Sequence, residues 1–204
     1  MQKDDNTENR IKETAKKLFQ EKGFDAVRTR EIAEAAGINS ALLHYYFRSK
    51  ERLFHIVMIE SITEMFSFLQ QIINNPDTSL SQKIDLIVDG YMGVIKANPN
   101  LALFVLNELH VDSGKIIKES GLAKNMLTDS SFFEQMQEQL KKKSIKMSPL
   151  QIMLNTISLS VMPVIAQPMI VHFYDMEIGN ISDFLEERRK LIPMWIKGML
   201  QLDK

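Results

Sequence analysis

Apolar residues recur along most of the chain at intervals of three and four, the spacing that gathers them on one face of an α-helix. Ile11, Ala15, Leu18 and Phe19 predict a first helix, closed at Gly23, where a left-handed residue can cap it. Thr29 is the expected N-cap of a short helix over Arg30 to Ala36, and Gly37 permits a tight turn into a third helix from about Ser40 to Phe47. Ser49 then caps a long helix carrying Leu53, Phe54, Val57, Met58, Ile62, Met65, Phe66 and Leu69, which the breaker NNPD at 74–77 ends.

The remainder continues in the same manner. Ser79 and Gln82 form a capping-box pair opening a helix to about Ala97, and Pro99 starts another to about Val111. Residues 112–129, polar and interrupted by Gly114 and Gly121, read as loop with a short helix. Ser131 and Glu134 open a helix through QMQEQLKKK, whose terminal lysines answer the helix dipole. Two long apolar segments follow, about 148–174 with Pro163 and Pro168, and about 181–202. No alternating strand, internal repeat or low-complexity tract interrupts this pattern, so the expected fold class is all-α.

Composition changes this picture little. At 204 residues and 45% hydrophobic content the chain can bury a substantial core without staples. The absence of cysteine removes disulfides, thiolate metal sites and thiol nucleophiles, and fits a reducing compartment. MQKDDNTENR lacks the apolar core of a signal peptide, and no uncharged apolar run has the length of a span, so a cytoplasmic protein without a membrane partner is expected. Net charge is -1, but residues 1–55 hold eleven Lys/Arg against nine Asp/Glu, leaving fourteen against seventeen in the rest. That asymmetry permits DNA binding at the N-terminus, and near-neutrality discourages a non-specific architectural binder.

Two short helices joined by a Gly-containing turn and preceded by a stabilising helix make a helix-turn-helix, whose second helix enters the major groove. Leu43 and Phe47, four apart, turn to the core, which leaves Ser40, His44 and Tyr45 on the other faces, with Lys50 following. Hydroxyls, an imidazole and an ammonium grouped in this way suit phosphate oxygens beside a groove. Residues 8–55, through TREIAEAAGI and LLHYYFRSKERLF with Phe47, Ser49, Lys50 and Leu53 in register, resemble the DNA-binding domain of the TetR family of bacterial repressors. Departures are Ala41, His44 and Tyr46, where the family often has Gly, Tyr and His. The rest of the chain matches the family only in length and helical layout.

The resemblance implies a DNA-binding domain over residues 1–52 and a helical ligand-binding and dimerisation domain over 53–204. It implies a homodimeric repressor that leaves double-stranded operator DNA on binding a small lipophilic inducer, with no cofactor. Contacts to DNA are then expected from Thr29, Ser40, Ala41, Leu42, His44, Tyr45 and Lys50. Aromatic and thioether residues suggest a ligand lining of Met65, Phe66, Leu69, Tyr91, Met92, Phe104, Met126 and Phe133. Asn107, Glu108 and His110 are its polar candidates, favouring an apolar molecule with one polar or cationic end. The apolar closing segments suggest a dimer interface of Ile157, Val161, Ile165, Ile192, Trp195 and Ile196. The competing class is a helical-bundle enzyme or carrier. No Glu-x-x-His ligand pair, P-loop or Gly-x-Ser-x-Gly motif supports an enzyme or a metal site.

Overall fold

Capping chemistry sets most helix boundaries. The computed structural model describes residues 2–97, 99–121, 125–174 and 178–202, which among them form ten helices and no strand. These are α1 (Gln2–Lys22), α2 (Thr29–Ala35), α3 (Ser40–Phe47), α4 (Lys50–Ile73), α5 (Leu80–Ala97), α6 (Pro99–Glu119), α7 (Ser131–Lys142), α8 (Pro149–Ile165), α9 (Gln167–Tyr174) and α10 (Ile178–Met199). Gly23 and Gly37 adopt the left-handed conformation expected of them, with φ of +78° and +64°. Gly37 N donates to Glu34 O and Ile38 N to Ala33 O, the paired bonds of a Schellman cap that ends α2. Ser49 Oγ accepts from Arg52 N, and Ser79 and Gln82 exchange the two bonds of a capping box.

Several boundaries differ from the sequence reading. Thr29 lies inside α2, whose N-cap is Arg28 with no side-chain bond. α7 is capped by Ser130, whose hydroxyl accepts from Phe133 N, so the cap stands one residue before Ser131. α6 continues through Gly114 to Glu119 instead of ending near Val111. A helical glycine costs only about 1 kcal/mol against alanine, and Glu119 is held at 2.7 Å by His55. The 148–174 segment breaks after Ile165, and α8 and α9 meet at 61°.

The described chain forms two compact units. The first comprises residues 1–64 with 104–121, the second 65–103 with 122–204, a division at other places than residue 52 because α4 and α6 each contribute to both units. In the first, Ile11, Ala15, Phe19, Ile32, Leu43, Phe47, Leu53 and Met58 form the core. Lys12–Glu60 and Lys16–Glu64, at 2.6 and 2.8 Å, tie α1 to α4 with a repeat of four residues on both helices. α4 is long and apolar enough to cross a membrane, but Leu53, Val57, Met58 and Ile62 are fully spent on packing.

In the second unit, α5, α7, α8 and α10 surround Leu69, Ile84, Val88, Met136, Ile152, Ile192 and Ile196. One buried cation lies among them. Lys83 Nζ donates to Ser131 Oγ at 2.7 Å and Gln135 Oε1 at 3.0 Å, joining α5 to α7 without a carboxylate. Pro163 lies inside α8 and has no N–H for Leu159 O four residues earlier. Arg188 of α10 supplies the missing donor, with Nη2 at 2.9 Å from that carbonyl. The guanidinium also lies over the rings of Trp195 and Phe184.

Candidate nucleic-acid interface and cavity

α3 is amphipathic in the sense a recognition helix requires. Leu43 and Phe47 are buried at 2% and 1% exposure, while Tyr45, between them in sequence, is 69% exposed. Asn39 Oδ1 accepts from Leu42 N at 2.8 Å and so fixes the helix start. Ser40, Ala41 and His44 are exposed, Leu42 is half-buried, and Thr29 is exposed at the start of α2. Tyr46 is half-buried, its ring edge-on to Tyr45 at 5.5 Å. The hydroxyls of Thr29, Ser40 and Tyr45 and the imidazole of His44 therefore stand on described, accessible positions of the helix-turn-helix.

Lys50 has a structural task that the sequence did not reveal. Its Nζ donates to Phe24 O at 3.0 Å and Val27 O at 3.2 Å and lies 4.1 Å from the Phe24 ring centroid. The ammonium thus holds the α1–α2 loop against the start of α4, and one of its three donors is left over for a phosphate. Arg48, just before it, has φ 65° and ψ -44°, while Ser49 N donates to Phe47 O across it at 2.7 Å. This is the strained, positive-φ γ-turn, and it sets the exit angle of α3.

A second feature lies wholly within the second unit. A cavity of about 170 Å³ is lined by Phe66, Leu69 and Ile73 of α4, Ile87 and Tyr91 of α5, Leu127, Phe132 of α7, and Met153, Thr156 and Ile157 of α8. Of the expected ligand residues, Phe66, Leu69 and Tyr91 meet there. Met65, Met126 and Phe133 pack against the neighbouring core, and Met92 is buried within it. Phe104 belongs to the first unit, where its ring meets Phe54 and His55. His110 is exposed, and the side chains of Asn107 and Glu108 lie outside the described residues. The buried stripe of α7 is Phe132, Met136 and Leu140, so Phe132 and not Phe133 lines the cavity. Thr156, a polar residue in an apolar helix, was the available signal for the α8 wall.

The expected dimer residues divide in the same way. Ile192 and Ile196 are 0% exposed and belong to the core of the second unit itself, which corrects their assignment to an interface. Ile157 lines the cavity, and Val161 and Ile165 are half-buried. The exposed apolar positions of these helices are Leu150, Leu154 and Met162 on α8 and Met194 and Trp195 on α10.

Comparison with known proteins agrees with this arrangement. Residues 11–57 match the family model described as bacterial regulatory proteins, tetR family. Over 109 residues the chain is 31% identical to the Bacillus subtilis protein named "Probable HTH-type transcriptional regulator YttP", a stretch covering 52% of each chain. Over 95 residues it is 33% identical to the HTH-type transcriptional repressor NicS of Pseudomonas putida, covering 45% of this chain and 44% of that one. The matches thus span about half the length of these relatives.

Solved structures resemble the chain over a greater length. A transcriptional regulator of the TetR/AcrR family from Thermobifida fusca has a TM-score of 0.60 at 17% identity, over 92% of this chain and 97% of that one. The fatty acid degradation regulator FadR from Bacillus halodurans has a TM-score of 0.56 at 16% identity, over 91% and 93%. At such identities the likeness is one of fold. The matched segment makes residues 11–57 a helix-turn-helix of the TetR family of bacterial regulatory proteins, and the chain as a whole shares the all-helical fold of solved regulators of that family.

Proposed function

We propose that this protein is a cytoplasmic, homodimeric transcriptional repressor that binds operator DNA through α2 and α3 and leaves it when a small molecule occupies the cavity of the second unit. The exposure of Tyr45 between two buried anchors carries the DNA-binding reading, because it leaves a stacking and hydrogen-bonding side chain facing outward from a rigidly seated helix. Thr29, Ser40, Ala41, Leu42 and His44 extend this surface, and Lys50 adds a phosphate contact through its remaining donor. Repression accords with the names of matched relatives, NicS among them. The exposed apolar positions of α8 and α10 support an isologous helical interface, which would set two recognition helices at one spacing. A ligand releases DNA if it binds more tightly to a state in which that spacing no longer fits successive major grooves.

Fluorescence anisotropy with the DNA upstream of the protein's own gene tests the reading. Tyr45→Ala should weaken sequence-specific binding by about tenfold, equivalent to the loss of roughly 1.4 kcal/mol, with circular dichroism unchanged. Equal affinity of native protein for this DNA and for scrambled DNA would favour the competing reading, a helical carrier that uses the cavity without DNA.

A further inference from the structure

We propose that the cavity of the second unit selects an uncharged molecule about the size of one aromatic ring, whose single hydrogen-bonding group is met by the Tyr91 hydroxyl. The inference rests on reading this cavity as the regulatory site and names the chemistry it accepts. Size gives the first constraint. At about 170 Å³ the space is close to that of cavities of about 150 Å³ known to hold benzene. Phe66 and Phe132 provide flat walls against which a ring can pack edge-on or offset.

Charge gives the second constraint. No acidic, basic or imidazole side chain lines the cavity among the described residues. The nearest cation along α5 is Lys83, one helical turn before Ile87, but it is fully buried and committed to Ser131 and Gln135. A carboxylate could reach it only by unpacking α5 from α7. An ammonium would find no carboxylate among the described lining residues, and an ion entering without a counter-ion loses its hydration uncompensated. The cationic end expected from Glu108 therefore has no counterpart in this cavity.

Polarity gives the third. Two lining residues carry hydroxyls, and their states differ. Thr156 Oγ1 donates to Ile152 O at 2.8 Å, so its proton is committed and it can only accept. Tyr91 makes no hydrogen bond among the described residues, and its oxygen is not among the sealed, unpartnered atoms. Burial nevertheless pushes the phenol up to about 12. Tyr91 lines the cavity, so a hydroxyl that is desolvated yet not sealed by packing is available to a molecule there as a neutral donor and acceptor.

Equilibrium binding of four probes of one shape to the full chain tests this, using toluene, p-cresol, p-toluate and 4-methylbenzylamine. In the native protein p-cresol should bind about fivefold more tightly than toluene, the worth of one net hydrogen bond. Both charged probes should bind more than about a hundredfold more weakly than p-cresol. Tyr91→Phe should bring p-cresol within about twofold of toluene without weakening toluene. Phe132→Trp, which fills the space, should abolish binding of both. Binding of either charged probe as tightly as p-cresol, retention of the p-cresol preference in Tyr91→Phe, or no binding by any probe would overturn the proposal. Operator anisotropy separates the underlying reading. Probes that follow this ranking but leave DNA bound would remove the regulatory role and keep the cavity's chemistry.

Discussion

At the scale of the residue, Arg48 and Lys83 depart from ordinary backbone and burial rules and carry opposite expectations. Arg48 holds a γ-turn with φ 65° and ψ -44°, a conformation that costs a side-chain-bearing residue roughly 1–3 kcal/mol. Arg48→Gly should therefore raise stability in urea unfolding by about 1 kcal/mol after glycine's greater unfolded-state entropy is deducted. Unchanged or lower stability would mean that the turn is unstrained. Lys83 is a buried ammonium whose pKa burial lowers from 10.5. Its unfolded state binds the proton more tightly, so the stability it contributes is least at low pH and rises as pH climbs through the folded pKa toward 10.5. Lys83→Met should accordingly be more favourable relative to the native protein at pH 7 than at pH 10, even though it leaves Gln135 Oε1 without its donor. A difference between the two that is constant with pH in parallel urea titrations would remove burial of the charge as the cause.

At the scale of the element, the bend of α8 joins a covalent fact to a tertiary one. Pro163 frees the Leu159 carbonyl and Arg188 takes it, so neither residue's contribution is independent of the other. Arg188→Leu should cost about 1–2 kcal/mol because it strands a carbonyl that no backbone N–H can reach. With Pro163→Ala, which restores an N–H four residues on, the same change should cost at least about 0.5 kcal/mol less. Additive losses would show that the arginine acts through its packing on Trp195 and Phe184 alone. This bond also marks the limit of what periodicity can tell. Glycine caps, serine caps and apolar stripes are local, and α3, α4, α5 and the end of α1 were accordingly legible within a residue or two, whereas α1 begins at Gln2, well before Ile11, the first apolar residue of its stripe. Which of Ser130 or Ser131 caps α7, and whether α6 crosses Gly114, depended on partners distant in sequence, Ile73 and Lys83 for the Ser131 hydroxyl and His55 for Glu119. The outward-facing residues of α3 were readable because a helix of eight residues with two buried anchors has few orientations left. The cavity was readable only in part, since a bundle's apolar residues all look alike until packing separates Phe66 and Tyr91, which line space, from Met92, which fills it.

At the scale of the whole molecule, the closing helices carry both apolar residues that are sealed in the core and apolar residues that face outward. Ile196 and Trp195 are neighbours in α10, yet the first is 0% and the second 39% exposed. Leu154 at 48% and Met162 at 56% lie two turns apart on α8, with Leu150 at 56% one turn before Leu154. A stripe of this kind is longer than isolated surface leucines require, and two copies related by a two-fold axis could cover it mutually. Charge placed on the stripe and charge placed in the core should then have different outcomes. Leu154→Glu should give a folded monomer by sedimentation velocity at micromolar concentration, with near-native helicity and a loss of operator affinity greater than tenfold, because each half-site is then bound separately. Ile196→Glu should instead lose helicity, since it buries a carboxylate without a partner. A native protein that sediments as a monomer, or a Leu154→Glu variant that remains a dimer and binds operator normally, would move the interface away from α8 and require the two recognition helices to be coupled by another surface.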